Sequence, residues 1–147
     1  MALPSPIKSA LPEPHTDLHP FETRNIHPDL PPRVRQMFDD GHYAEATFLA
    51  CKFLDNYVGK HAPHTRSGKD RMMKVFSEIS PVIQLNPLGN ESERNEQEGY
   101  KYLFAGTMIG IRNPRGHSHS IQDDPGLCLD HLGLVSALLR RLNDAGF

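Results

Sequence analysis

Residues 42–60 read HYAEATFLACKFLDNYVGK, and the spacing of their apolar side chains predicts a helix. One stripe recurs every three or four residues and comprises Tyr43, Ala46, Thr47, Ala50, Leu54 and Tyr57. Gly59 is expected to end this helix. The stretch therefore indicates an α-helical domain.

Two flanking stretches carry similar signals. Residues 31–41, PPRVRQMFDDG, predict a short helix that Gly41 ends. Residues 67–80, SGKDRMMKVFSEIS, predict a helix that opens with a capping box from Ser67 to Asp70 and stops before Pro81. Its inward side chains are expected to be Met72, Phe76 and Ile79.

A further helix is predicted to begin near Asn90 or Ser92, with glutamates in its first turns as the helix dipole favours. Its apolar stripe comprises Tyr100, Leu103, Phe104, Thr107, Met108 and Ile111. Gly106 and Gly110 lie four apart, and glycine weakens a helix interior. The spacing suggests the close approach of another helix, from the same chain or a second one, and the alternative is a pair that is merely tolerated.

The last helix has the clearest ends. Asp124 is expected to cap it, Pro125 to occupy its first position, and Gly146 to follow its end. No alternating strand pattern and no internal repeat is seen in the sequence. The predicted fold is all-α: a compact bundle of four to five helices over residues 31–147.

Residues 1–30 differ from the rest of the chain in composition, since eight of the thirteen prolines fall in residues 1–32. They predict an extended or partly disordered proline-rich arm that docks through Leu18, Phe21, Ile26 or Leu30. The histidines at 15, 19 and 27 are expected in solvent. The arm either wraps a partner or is a flexible leader.

Composition limits the class of protein. With 16 basic and 18 acidic residues the net charge is −2, so any anion site must come from local clustering. The chain shows neither a signal peptide nor an apolar run long enough to span a membrane, and we expect a cytoplasmic protein. Cys51 and Cys128 are expected to be reduced thiols in the core.

One window stands out, because no carboxylate lies between Glu98 and Asp123. The window holds five basic side chains, namely Lys101, Arg112, Arg115, His117 and His119. It predicts a phosphate site to which Arg115, His119 and Lys101 contribute as substrate-binding residues. The alternative is an exposed basic loop without a function.

Local geometry gives two of these residues sharper roles. The helix is expected to end at residues 111–113, because Pro114 disfavours helical geometry just before it, and Gly116 is expected to allow a tight reversal. His117 would then return beside Arg112. Arginine can clamp a phosphate with two hydrogen bonds, and histidine exchanges a proton near neutral pH.

These abilities fit the internal transesterification of RNA, in which a base activates the 2′-OH and an acid protonates the leaving 5′-oxygen. One histidine cannot be base and acid at one moment. A symmetric dimer that brings two sets of Arg112 and His117 together would remove the difficulty.

The pattern Arg112-Asn113-x-x-x-His117 at a helix end resembles the R-x(4–6)-H motif of the HEPN superfamily. GHYAEATFLACKFLD, GKDRMMKVFSE and EQEGYKYLFAGTMIGIRNPRGH more narrowly resemble the Ymh-type branch of bacterial HEPN-like proteins. The resemblance implies a metal-independent endoribonuclease without a cofactor, a composite site across a homodimer, and a role in phage defence or with an antitoxin. By position it makes Arg112 the phosphate-binding residue, Asn113 the orienting residue and His117 the proton-transfer residue. His119 stands where certain HEPN toxins carry a tyrosine that an antitoxin modifies, and there the chain departs from the pattern.

Two other interpretations remain open. The chain could be a non-catalytic HEPN-like module that binds RNA or nucleotide or serves in assembly. Alternatively, His117 and His119 could bind a metal with Asp123 or Asp124, although two nearby arginines disfavour a cation there.

Overall fold

A computed structural model describes residues 17–147, which form helices and no strand. The helices are α1 (Pro20–Thr23), α2 (Pro32–Asp39), α3 (Tyr43–Gly59), α4 (Lys69–Val75), α5 (Glu91–Gly106), a π-helical segment (Thr107–Arg112), α6 (Asn113–His117) and α7 (Pro125–Asp144). The all-α class is therefore confirmed, although several of the helices are shorter than the sequence predicted.

Helix α3 is the centre of the bundle, and α2, α4, α6, α7 and the π-helical segment all pack against it. Its predicted stripe is buried at four positions, Ala46, Thr47, Ala50 and Leu54. Helix α7 begins as predicted, because the Asp124 side chain accepts a hydrogen bond from the Leu127 amide and Pro125 follows in the first position. These two helices supply much of the apolar core.

The segment between α4 and α5 is fixed by a buried glutamine. Gln97 accepts a hydrogen bond from the Leu85 amide and donates to the carbonyls of Ile83 and Phe76. Beside it, the rings of Phe76 and Phe104 stack with centroids 4.1 Å apart. The irregular chain thus has its polar backbone groups paired in the core, as burial requires.

Helix α4 departs from its prediction at both ends. Its N-cap is Gly68, with no side-chain cap from Ser67 or any other described residue, so the predicted capping box is wrong. The helix ends at Val75, whose carbonyl then accepts hydrogen bonds from the amides of Val82 and Ile83. Ile79 consequently lies in a loop and is 89% exposed, instead of facing inward.

The described part of the arm, residues 17–30, packs on the helices. Ile26 and Leu30 are buried in the core, whereas Leu18 is exposed. His27 is also buried: its backbone amide donates to Ser136 Oγ and its ring pairs with Asn143. The expectation that His19 and His27 lie in solvent is wrong, since His19 bonds Asp39. His15 and the rest of residues 1–16 lie outside the described residues.

An exposed face runs along α5 and the π-helical segment. It carries Tyr102, Leu103, Gly106, Ile109 and Gly110. A Cβ added at either Gly106 or Gly110 would meet no described atom within 4 Å, so residues 17–147 supply no helix that approaches these glycines.

Two further sequence expectations concern the core and the membrane. Cys51 and Cys128 are free and buried, as predicted. Burial raises the pKa of the Cys51 thiol to about 12, against the opposing positive charges of Arg115 and Arg112. Among the helices of residues 17–147, none is both long and apolar enough to cross a membrane.

Candidate functional site

The helix that carries the Arg112 motif does not end where the sequence predicted. After α5 the chain passes through the π-helical segment, in which the Asn113 amide donates to the Met108 carbonyl five residues back. It then continues through Pro114 as α6 to His117. The wider π turn accommodates a proline that lacks an N–H, so the predicted stop at residues 111–113 is wrong.

Gly116 is not a turn residue either. It lies within α6, and its φ is not among the positive values of the described glycines. A Cβ at this position would lie 2.7 Å from Cε2 of Phe48 on α3. Gly116 therefore lets α6 pack tightly against α3, and the predicted reversal does not form.

Because the chain stays helical, His117 does not return beside Arg112. Over the five residues from Arg112 to His117 an α-helix advances by about 7.5 Å and turns by about 140° relative to its starting face. Within one chain the two side chains therefore leave the helix on different sides.

Arg112 has an unusual environment. Its Nη2 lies 3.7 Å from Oδ2 of Asp55, a distance that permits charge attraction but exceeds a hydrogen bond. Its Nε is buried, and within the described part of the chain no acceptor bonds it. About a quarter of the side chain, 24%, remains exposed. Arg112 is thus a partly exposed arginine that lies beside a buried carboxylate and makes no hydrogen bond within residues 17–147.

Asp55 itself is held by other groups of the chain. It is buried on α3, accepts hydrogen bonds from the Gly68 amide to both carboxylate oxygens, and pairs with Nη1 of Arg71 at 2.9 Å. Arg71 is anchored in turn by the side chain and the carbonyl of Thr65. The cluster of Asp55, Arg71 and Arg112 holds two guanidinium groups and one carboxylate, so it carries one positive charge in excess.

Arg115 is in the opposite situation. Its Nε and Nη2 donate to the two carboxylate oxygens of Asp123 at 2.7 and 2.9 Å, and Nη1 donates to the Ile111 carbonyl. The Arg115 side chain is 9% exposed and that of Asp123 is 3% exposed. Arg115 therefore ties the loop after α6 to the helix, and its donors are taken.

Lys101 is also occupied. Its Nζ pairs with Oε2 of Glu78 at 2.8 Å, and the residue is buried. Eleven residues of helix separate it from Arg112, about 16 Å along the axis. Lys101 therefore lies away from the Arg112 cluster.

The remaining predicted residues are accessible. His117 and His119 are exposed, and Asn113 is partly exposed beside Arg112. His119 lines a cleft of about 340 Å³ together with the start of α3, including His42, Tyr43 and Glu45. This cleft and the Arg112 cluster are the two places where a ligand could meet the predicted residues.

In the folded chain the cations of the carboxylate-free window do have carboxylate neighbours. Its cations are partnered by carboxylates from other parts of the chain: Glu78 for Lys101, Asp123 for Arg115 and, at longer range, Asp55 for Arg112. Of the three cations, Arg112 makes no hydrogen bond to residues 17–147. The prediction of a phosphate site now rests on this one arginine.

The metal interpretation gains no cluster of ligands. Asp123 is bound by Arg115. In the described part of the chain no group of three or more His, Cys, Asp and Glu side chains converges as metal ligands would.

Two residues of the cluster, Asp55 and Arg71, and the neighbouring Gly68 were not singled out from the sequence. Asp55 carried a usable signal, because it follows Cys51 by four positions and thus falls on a face of α3 expected to be buried. A carboxylate on a buried face must be paired. The identity of its partners, on α4 and at the end of the π-helical segment, could not be read from spacing.

Comparison with known proteins gives one match. A family model described as "Protein of unknown function (Hypoth_ymh)" matches residues 24–142, from the described part of the arm to the end region of α7. No curated protein and no solved structure is significantly similar to the chain. The match agrees with the Ymh part of the sequence resemblance, and the link to the HEPN superfamily stays a prediction.

Proposed function

This chain belongs to the Hypoth_ymh family, whose function is unknown, and we propose that it is an endoribonuclease that cleaves RNA without a metal ion. The observation that carries the proposal is Arg112, a partly exposed guanidinium that lies 3.7 Å from a buried carboxylate and makes no hydrogen bond within residues 17–147. The excess positive charge of the cluster favours an anion, and the guanidinium geometry matches the oxygens of a phosphate.

In the proposed reaction a base takes the proton from a 2′-OH, and the resulting oxygen attacks the adjacent phosphorus. The bond from phosphorus to the 5′-oxygen breaks, and an acid gives that oxygen a proton. The products are a 2′,3′-cyclic phosphate and a 5′-OH. Arg112 stabilises the charge that builds up on the phosphoryl oxygens.

His117 is the proposed proton-transfer residue, and Asn113 orients the substrate beside Arg112. His117 is exposed at the end of α6 and forms no hydrogen bond with any residue from 17 to 147, so its ring is available to a ligand. His119, which lines the cleft at the start of α3, would contact the RNA. Arg115 and Lys101 are weaker candidates for substrate binding, because their own carboxylates already occupy them.

The proposal requires two copies of the chain. In one copy Arg112 and His117 leave the helix on different sides, and a single histidine cannot serve as base and acid together. The exposed face of Tyr102, Leu103, Gly106, Ile109 and Gly110 lies on the same helical rod as both residues. A symmetric dimer formed through this face would bring two motifs to one interface.

A second candidate is a non-catalytic module that binds RNA or nucleotide. The separation of Arg112 and His117 within one chain favours it, because phosphate binding needs only Arg112. A cytoplasmic location, an antitoxin or other partner protein, and a part in phage defence remain predictions from the sequence resemblance.

The test is cleavage of a labelled RNA by the wild type, His117→Ala and His64→Ala, each with and without a chelator. His64 is an exposed histidine in the loop after α3 and serves as the matched control. We expect cyclic-phosphate ends from the wild type and His64→Ala, chelator or not, and none from His117→Ala. Binding without cleavage by the wild type would select the non-catalytic module. Cleavage that the chelator stops would overturn the metal-free mechanism.

A further inference from the structure

We propose that Asp55 is the positioning residue for Arg112, an inference that rests on the proposed function and deepens it. Asp55 does not reach the surface and touches no ligand directly, since its side chain is 6% exposed. It acts by holding the guanidinium that meets the phosphate.

Asp55 is well placed to hold a cation because it is itself immobile. The Gly68 amide bonds both of its oxygens at 3.1 and 3.0 Å, and Arg71 bonds Oδ1 and the Asp55 carbonyl. Its Oδ2, on the side of Arg112, is left with only one short hydrogen bond. A carboxylate fixed in this way gives Arg112 a defined point of electrostatic attachment in a partly buried setting.

Gly68 supplies the space that the attachment needs. A Cβ on Gly68 would come within a non-bonded clash distance of Arg112 Nη2, and the residue has φ +82, a conformation that glycine adopts without strain. The same residue therefore donates to Asp55 and leaves room for the guanidinium beside it. Gly59 has the corresponding role for Arg71, whose Nη1 would lie 2.6 Å from an added Cβ.

The 3.7 Å separation is compatible with positioning and with binding at once. A close bidentate pair, such as Arg115 forms with Asp123, would consume the donors that a phosphate needs. The longer contact with Asp55 attracts the guanidinium to one position and leaves its donors free for a phosphate. Asp55 is the one carboxylate within 4 Å of Arg112 in residues 17–147. Without its charge, the positive charge of Arg71, which pairs with the same carboxylate, would favour movement of Arg112 toward solvent.

The main test is Asp55→Asn, which keeps the shape and removes the charge. If the site cleaves RNA, kcat should fall by about 100-fold through loss of the oriented contact, whereas KM should change little because a mobile arginine still attracts the backbone. Asp130→Asn is the matched control, since Asp130 is an exposed carboxylate paired with Arg24. An equal fall of kcat in both variants, or a rise of KM alone, would overturn the proposal.

A readout independent of catalysis is the NMR signal of the Arg112 Nε–H group in the full chain. In the wild type it should be shifted from free arginine, and in Asp55→Asn it should move to the position of a mobile arginine. Gly68→Ala is the second variant, for the case in which Asp55→Asn folds poorly. It displaces Arg112 while keeping the Asp55 charge, and it should give the same change of the Nε–H signal. An unmoved signal in the folded variants defeats the positioning role. A wild type that shows the shifted signal but cleaves no RNA instead defeats the proposed function.

Discussion

Arg112 and Arg115 lie three residues apart on one helical rod, but their guanidinium groups are in opposite states. Arg115 is closed: it makes three hydrogen bonds and pairs bidentately with a buried carboxylate. Arg112 is open: it lies 3.7 Å from Asp55 and its Nε has no acceptor in residues 17–147. An arginine in a basic window is therefore not always free to bind a ligand. Whether it is free depends on the carboxylates that other elements of the fold place beside it.

The sharpest test of the open site is Arg112→Ala. We expect kcat for RNA cleavage to fall by about 1,000-fold, because a charge-stabilising donor of the transition state is lost. The melting temperature should change little, since Asp55 keeps Arg71 and the Gly68 amide. Measurement of both quantities separates a functional from a structural arginine, and a stability loss without a rate loss would reverse the assignment.

The closed site should respond in the opposite way to Arg115→Ala. This change leaves Asp123 buried without its counterion, which costs about 3–5 kcal/mol of unfolding free energy. The melting temperature should fall by about 10 °C. Arg115→Met combined with Asp123→Leu removes both charges and should recover most of the loss. A single variant as stable as the wild type would contradict the buried pair.

Gly116→Ala tests whether tight packing of α6 on α3 supports both arginines. The added methyl group would press on Phe48, and overpacking of this kind costs about 1–3 kcal/mol. Chemical denaturation measures the loss. Phe48→Leu should relieve part of it, so that the double variant loses less than the sum of the two single ones. Additive losses would show that the two residues do not press on each other.

Gly106→Ala tests whether the protein is a monomer or a dimer formed through the exposed face. A methyl group here meets no described atom, and alanine is favoured in a helix by about 1 kcal/mol, so an isolated chain should become more stable by about this amount. If a partner helix packs on the exposed face, the variant should instead weaken the dimer. Denaturation at several protein concentrations separates the outcomes, and a concentration-independent gain would count against the proposed dimer.

The smallest expected effect is a pH dependence from His131. Burial, and then the positive charge of Arg115, lower the pKa of this histidine below its ordinary value of 6.5. The folded state then binds fewer protons than the unfolded state just below pH 6.5, so stability should fall as the pH drops through that range. Urea unfolding of the wild type and His131→Phe at pH 5 to 7 measures the difference. A parallel pH dependence in the two proteins would exclude a contribution from His131.

Sequence patterns predicted the core of α3 and the start of α7, because both depend on neighbours within a few residues. They failed at Pro114, since the local rule for proline assumes an α-helix and a π turn changes which hydrogen bonds are needed. They also named Arg112 but not Asp55, whose contact joins distant parts of the chain. Local chemistry is thus readable from sequence, whereas the pairing state of a cation is a property of the tertiary structure.

The π-helical segment Thr107–Arg112 also acts as a shift of helical phase. Each π turn holds about one residue more than an α turn, so everything after it is rotated by roughly 100° from where a regular helix would place it. Deleting one residue of the segment, such as Ile109, would remove this offset together with one helical step of about 100°, so a regular helix would still direct Arg112 toward Asp55. The π turn thus absorbs one extra residue within the helix while Arg112 stays on the side of α3.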